Sequence, residues 1–96
     1  MICTDNMQKV AEKYDTGDLS SFDGVVFPLK HSNGATSIVI AVENGVKDSV
    51  IVHEIVHVKN CLYFLCGMEL DCKNDEPEAY LCGWLAENIF KFFKNG

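Results

Sequence analysis

The sequence predicts an α+β fold, and three features of its pattern support this class. Apolar residues recur at helical spacing near both ends of the chain, two segments rich in β-branched residues flank an Asn-Gly pair, and a long apolar segment follows them. A chain of 96 residues is too short for two hydrophobic cores. We therefore expect a single domain over residues 1–96, with a short helix, a β-hairpin, a long helix and a C-terminal helix in that order.

A short N-terminal helix is predicted from its cap and its apolar spacing. Thr4, Asp5 or Asn6 can cap it, because each offers a side-chain oxygen to the first backbone N–H groups. Its apolar residues are three or four positions apart: Met7, Val10, Ala11 and Tyr14. We expect this helix to end before Gly17.

The β-hairpin is predicted over residues 22–29 and 37–44. The first segment is rich in β-branched and aromatic residues, and apolar side chains alternate along the second. Asn33-Gly34 between them is a strong signal for a tight turn. Pro28 has no backbone N–H to donate, which places it at a strand end or on an edge strand.

Two longer helices are predicted in the second half of the chain. Residues 48–66 contain many β-branched residues, but nineteen residues are too long for a strand in a domain of this size, so we predict a helix that ends before Gly67. The last helix is expected to begin at Asp75-Glu76-Pro77 and to end at Gly96.

The charge and the composition limit the partners and the compartment. The chain has 8 basic and 14 acidic residues and a net charge of −6, which opposes phosphate binding, so we expect no direct nucleic-acid partner. The first residues do not resemble a secretory signal, and no apolar segment reaches the roughly 18 residues needed to cross a bilayer. We expect a cytoplasmic protein that does not interact with a membrane.

The five cysteines are expected to be reduced and mostly in the core. Their number is odd, and without a secretory signal a disulfide framework is not expected. No Cys-x-x-Cys pair occurs, so the usual spacing of a thiolate zinc site is absent from the sequence.

The segment VIVHEIVHVKNC, residues 50–61, contains the pattern His-Glu-x-x-His. On a helix, His53 and His57 lie about 40° apart and one turn from each other, so both imidazoles can reach one metal ion. Glu54 lies about 100° from His53, where its carboxylate can accept a proton from a water molecule beside the metal. The alternative is structural, with two core-adjacent or surface histidines and a solvated glutamate. The apolar surroundings favour the metal, because unsatisfied buried imidazoles cost about 1–3 kcal/mol each.

A zinc site of this kind needs a third protein ligand and keeps a fourth position for water. The apolar stripe of the last helix, projected back by one turn, has Glu78 at its centre, whereas Glu76 lies on the polar side. A carboxylate directed at the core needs a cation, and zinc is the obvious one. Two alternatives stay open. Asp75-x-x-Glu78 also fits a capping box, and Cys82, one turn later, can bind zinc through its thiolate.

Together these residues resemble a known family. His53-Glu54-x-x-His57, followed twenty-one residues later by Glu78 on a second helix, is similar to the gluzincin branch of zinc metallopeptidases, in which such a glutamate is the third ligand. The resemblance covers about residues 37–90 and implies a minimal zincin-like fold. The combination of His-Glu-x-x-His with DEPEAYLCGWL also resembles small phage-encoded proteins of metallopeptidase type.

The resemblance implies hydrolysis of peptide bonds. His53, His57 and Glu78 would hold zinc, and Glu54 would be the general base that takes the proton of a water molecule and passes it to the leaving amine. The resemblance further implies that an extended peptide or protein substrate pairs with the strand Ser37–Asn44 at the edge of the cleft.

A second interpretation is a catalytically silent binding module that keeps the zincin scaffold and acts on a protein partner. The chain departs from the family in having neither a helical subdomain to complete the cleft nor a clear oxyanion-stabilising residue. His31 in the hairpin loop is one candidate for that role, although a solvated turn histidine is the simpler interpretation. A homo-oligomer also fits, because so small a sheet leaves some aromatic residues of the last helix exposed.

Overall fold

The computed structural model describes residues 1–19 and 21–95, and its architecture confirms the α+β class. Within these residues the chain forms three strands and three helices. The strands are β1 (Ile2–Thr4), β2 (Gly24–Lys30) and β3 (Thr36–Glu43). The helices are α1 (Met7–Tyr14), α2 (Asp48–Leu65) and α3 (Glu76–Asn95). The predicted order is confirmed, and β1 is added at the start.

The sheet has the strand order β1-β3-β2. β2 and β3 form the predicted antiparallel hairpin, with Gly24 opposite Val42 at one end and Lys30 opposite Thr36 at the other. At the turn, Gly34 adopts a φ of 90°, which glycine tolerates because it has no Cβ. β1 pairs with β3 in parallel, so that Ile2 lies opposite Ala41.

The pairing of β1 corrects one expectation from the sequence. The strand predicted at the cleft edge, 37–44, is instead the central strand, because β2 lies on one side of it and β1 on the other. Three residues are too few to show an alternating pattern, so β1 could not be recognised from the sequence. The edge strand next to the predicted motif helix is β2.

The predicted position of the first helix is confirmed, and Asn6 is the one of the three candidate residues that caps it. The Asn6 side chain accepts a hydrogen bond from the backbone N–H of Gln8 at 2.9 Å, and the helix ends where Asp15 adopts a left-handed conformation. Its buried face consists of Met7, Val10 and Ala11.

Two apolar clusters lie on opposite faces of the sheet, because successive residues of β3 point in opposite directions. Ala41 packs against α1 and Leu19. Ile40 packs on the other side, against α2 and α3. The second cluster joins residues of both helices, and its buried helical members are Ile51, Ile55, Val58, Leu85 and Ile89.

All five cysteines are free, but the prediction that most are in the core is wrong. Cys3, Cys66 and Cys72 are exposed, and Cys61 and Cys82 are half-buried. Branched aliphatic residues fill the α2–α3 contact instead. Among the described residues, no helix combines the length and the apolar character needed to cross a membrane.

Candidate metal centre

His53 and His57 lie one turn apart on α2 and direct their rings towards a common point. Their Nε2 atoms are 3.2 Å apart, and the ring centroids are 4.9 Å apart with the rings nearly perpendicular. Both side chains are exposed, so the expectation from the sequence that the imidazoles are buried in apolar surroundings is wrong. The four-residue spacing on a regular helix therefore brings the two imidazole nitrogens together, as the sequence predicted.

The separation of the two nitrogens fits a shared zinc ion. Two nitrogen ligands about 2.0–2.1 Å from a tetrahedral zinc lie about 3.3–3.4 Å from each other. The observed 3.2 Å is close to that value. The same distance also suits a hydrogen bond between the two imidazoles, and zinc titration distinguishes the two cases.

Glu54 is buried beside the histidine pair, with 4% of its surface exposed. Its carboxylate and the two imidazoles offer ligand atoms that all lie within 4.8 Å of one another. The side chain lies against the backbone of β2. A Cβ atom added at Gly24 would be 3.0 Å from Cγ and 3.2 Å from Oε2 of Glu54. Glycine at this position gives the carboxylate the space that it occupies.

Burial also affects the protonation of Glu54. Removal from water raises its pKa above the ordinary carboxyl value, and the charges of His57 and His53 oppose the rise. The environment of this group thus differs from that of a solvated surface glutamate, which was the structural alternative.

The histidines and Glu54 open into a cavity of about 720 Å³ between α2 and β2. Its walls are the loop 21–23, the first residues of β2 and one face of α2. Phe22, Val26 and Val50 give the cavity an apolar side, and Asp23 also lines it. The cavity therefore combines an apolar wall with the ligand atoms of the His-Glu-His group.

Glu78, the predicted third ligand, lies elsewhere. Its Oε1 is 3.1 Å from Nζ of Lys59, and its Oε2 is buried without a hydrogen-bond partner. Lys59 lies about 140° around α2 from the middle of the histidine pair. Because α3 packs against the apolar side of α2, the structure pairs Glu78 with a lysine and does not bring it to the histidines.

The observed contacts also differ from the three alternative roles considered for Glu78, Cys82 and His31. Glu78 forms an ion pair with Lys59, which is different from the bond back to the helix start that a capping box requires. Cys82 is half-buried on α3 and is not part of the group within 4.8 Å around the histidines. His31 lies at the far end of β2, about 20 Å along the strand from Gly24, and is hydrogen bonded to the Ser37 hydroxyl at 2.7 Å.

Comparison with known proteins does not assign the chain to a family. No family model, curated protein or solved structure matches the chain. The likeness to gluzincins therefore stays an expectation from the sequence. The His-Glu-His group and its cavity are the features on which a functional proposal can rest.

Two residues that line the site are not among those predicted from the sequence. Gly24 is an isolated glycine at the start of a β-branched strand, a pattern that often marks a close approach of another group to the backbone. Cys61 follows His57 by four residues and lines the same cavity. Its helical spacing from the histidines was the signal that could have placed it on their face.

Proposed function

We propose that this protein is a zinc-dependent hydrolase of peptide bonds, with His53 and His57 as zinc ligands and Glu54 as the general base. The observation that carries the proposal is the Nε2–Nε2 distance of 3.2 Å beside a buried carboxylate. Two imidazoles and a carboxylate within 4.8 Å of one another are also the donor types that zinc prefers.

Each residue has a distinct part in the proposed reaction. His53 and His57 would hold zinc, which would supply Lewis-acid chemistry by acidifying the attacking water and polarising the scissile carbonyl. Glu54 takes a proton from the attacking water and passes it to the leaving amine. Its packing against Gly24 fixes the carboxylate, so little reorganisation is needed during the reaction.

The free edge of β2 is the place where an extended substrate would bind. Within the described sheet, β2 pairs with β3 on one side, so its other edge can form main-chain hydrogen bonds with a peptide. The first residues of β2 line the cavity. We therefore propose that the substrate pairs with residues 24–30 and not with the predicted strand 37–44, and that an apolar side chain of the substrate lies near Val26 and Val50.

The ligand set in this proposal does not include Glu78. Its carboxylate is paired with Lys59, and that lysine is itself largely buried. Releasing Glu78 would leave a buried ammonium unpaired, which is costly. Zinc would then have two imidazoles as firm ligands, and its affinity should be lower than that of a site with three protein ligands.

The same observation supports a second candidate function. If two imidazoles hold zinc too weakly for turnover, the protein would act as a binding module that uses the cavity and the edge of β2 to hold an extended peptide. The pairing of Glu78 with Lys59 at 3.1 Å favours this alternative.

Cleavage of an unstructured protein, followed by gel electrophoresis and mass spectrometry with added zinc, tests the proposal. We expect slow cleavage, preferentially beside apolar residues, and a loss of at least about a hundredfold in Glu54→Gln. Glu12→Gln, an exposed change on α1, is the matched control and should keep full activity. Equal cleavage by Glu54→Gln would refute the role of Glu54. Absence of cleavage by zinc-loaded protein would favour the binding module.

A further inference from the structure

The outward face of α3 has a groove of about 720 Å³ that is separate from the metal centre. Gly83 forms its floor, and nothing lies within 4 Å of the place where a Cβ atom would be. Tyr80 and Trp84 form its walls, with exposed fractions of 77% and 61%. Leu85 and Ile89 attach the opposite side of the helix to the core, so this face is turned to solvent.

The groove is bordered by negative charge. Glu76 and Glu87 line it together with the two aromatic residues. On the helix, these four residues and Gly83 lie within an arc of about 100°. The connection before α3 adds three exposed carboxylates against one lysine: Glu69, Asp71, Asp75 and Lys73. Two exposed aromatic rings between carboxylates suit a cationic group that also has a flat or apolar surface.

We propose that this groove binds an arginine-bearing segment of a partner protein. A guanidinium can stack on Trp84 or Tyr80 while it pairs with Glu76 or Glu87, because it is planar and weakly hydrated. Tryptophan and tyrosine are also the residues that most often dominate binding energy at protein interfaces. The chain itself contains no arginine, so a second copy cannot supply this group.

Trp84 is the single tryptophan of the chain, and its fluorescence therefore reports directly on the groove. The probe is a capped, alanine-based peptide with arginine at every fourth position, and peptides with lysine or glutamate at the same positions are compared with it. We expect a saturable change in Trp84 emission with the arginine peptide, weaker binding of the lysine peptide by about threefold or more, and no binding of the glutamate peptide.

Single variants separate the groove from the general acidity of the chain. Glu87→Lys in the groove and Glu12→Lys on α1 change the net charge equally, and both positions are exposed. We expect Glu87→Lys to weaken binding about tenfold and Glu12→Lys less than about twofold. Tyr80→Ala, which keeps the reporter, should weaken binding by about five- to tenfold. Circular dichroism of each variant confirms that the helices are intact.

Three results would overturn the proposal. The first is an unchanged Trp84 emission up to about millimolar arginine peptide, well above the usual range of specific binding. The second is an equal loss of affinity in Glu12→Lys and Glu87→Lys, which would mean that the net charge alone attracts the peptide. The third is a blue shift of Trp84 emission as the protein alone is concentrated, with a dimer in sedimentation, because a second copy would then cover the groove.

Discussion

Glu54 lies so close to the backbone of Gly24 that a methyl group there would meet its carboxylate. The strand does not itself require glycine at this position, since Gly24 is not among the glycines with a positive φ and has a regular partner in Val42. We therefore attribute the presence of glycine at position 24 to the space that the Glu54 side chain needs.

Gly24→Ala should reduce activity more than it reduces stability. The added Cβ would be 3.0 Å from Cγ of Glu54, so the carboxylate must shift by a few tenths of an ångström. We expect kcat for peptide hydrolysis to fall about tenfold, while the midpoint of thermal unfolding changes by less than about 3 °C.

Gly83→Ala is the matched control for this substitution. Gly83 has open space around it and lies inside α3, where alanine is favoured over glycine. We expect the free energy of unfolding in urea to rise by about 0.5–1 kcal/mol with unchanged activity. Full activity in Gly24→Ala would show that Glu54 does not need its present position.

The burial of Glu54 also makes the stability of the metal-free protein depend on pH. Its pKa is raised, so the charged form is disfavoured in the folded state. Below the ordinary pKa of 4.5, the protonated side chain contributes fully to the stability of the fold. This contribution is lost as the pH rises through the higher pKa of the folded state. A glutamine at position 54 does not ionise, so Glu54→Gln keeps its stability over this pH range. The variant should therefore become more stable than the natural protein as the pH increases.

Urea unfolding of both proteins in a metal chelator, from about pH 4 to pH 8, measures this difference. We expect the two stabilities to diverge as the pH rises above the ordinary carboxyl pKa. Parallel curves over the whole range would mean that Glu54 is solvated like a surface carboxylate.

At the scale of the elements, the ion pair between Lys59 and Glu78 joins α2 to α3. The two side chains are 9% and 20% exposed, so removal of either partner leaves a poorly solvated charge. We expect Lys59→Met and Glu78→Leu each to cost about 2–3 kcal/mol of unfolding free energy in urea. The double variant should cost much less than the sum, because both charges are then gone.

The exposed pair of Lys9 on α1 and Asp5 just before the helix, at 3.3 Å, is the control for this experiment. Lys9→Met should change the unfolding free energy by less than about 0.5 kcal/mol. If the changes at Lys59 and Glu78 were strictly additive, the two groups would not be interacting as the structure shows.

The elements that could be predicted from the sequence are those whose signals are local. The length of the apolar run and Gly67 placed α2 within one residue of its observed end, and the Asn33-Gly34 turn placed the hairpin. The central position of β3 depends on the pairing of Ile2 with Ala41, a contact between distant parts of the chain that no local pattern records.

The position of Glu78 cannot be predicted from the sequence for a related reason. The apolar spacing places it in the stripe of α3, but a stripe does not determine which face of α2 it packs against. The isoleucines of α2 and its histidines lie on opposite sides of the helix. Because burial of Ile51 and Ile55 decides the packing, α3 lies on the side of Lys59.

At the scale of the whole molecule, zinc binding should stabilise the fold. A ligand that binds the folded state at 100 times its Kd adds about 2.7 kcal/mol, which in a domain of this size raises the unfolding midpoint by about 10 °C or more. We expect this rise in scanning calorimetry of the natural protein. His57→Ala should show no rise, whereas Cys72→Ala, a change at an exposed cysteine, should retain it.

The most direct test of the central claim is calorimetric titration of metal-free protein with zinc. We predict one zinc per chain for the natural protein, a loss of affinity of at least about a hundredfold in His53→Ala and His57→Ala, and a change of less than about threefold in Glu78→Gln. Absence of binding by the natural protein, or unchanged binding by both histidine variants, would contradict the proposed metal centre. If Glu78→Gln lowered the affinity for zinc as much as His53→Ala does, the proposed ligand set would be wrong and Glu78 would be the third ligand.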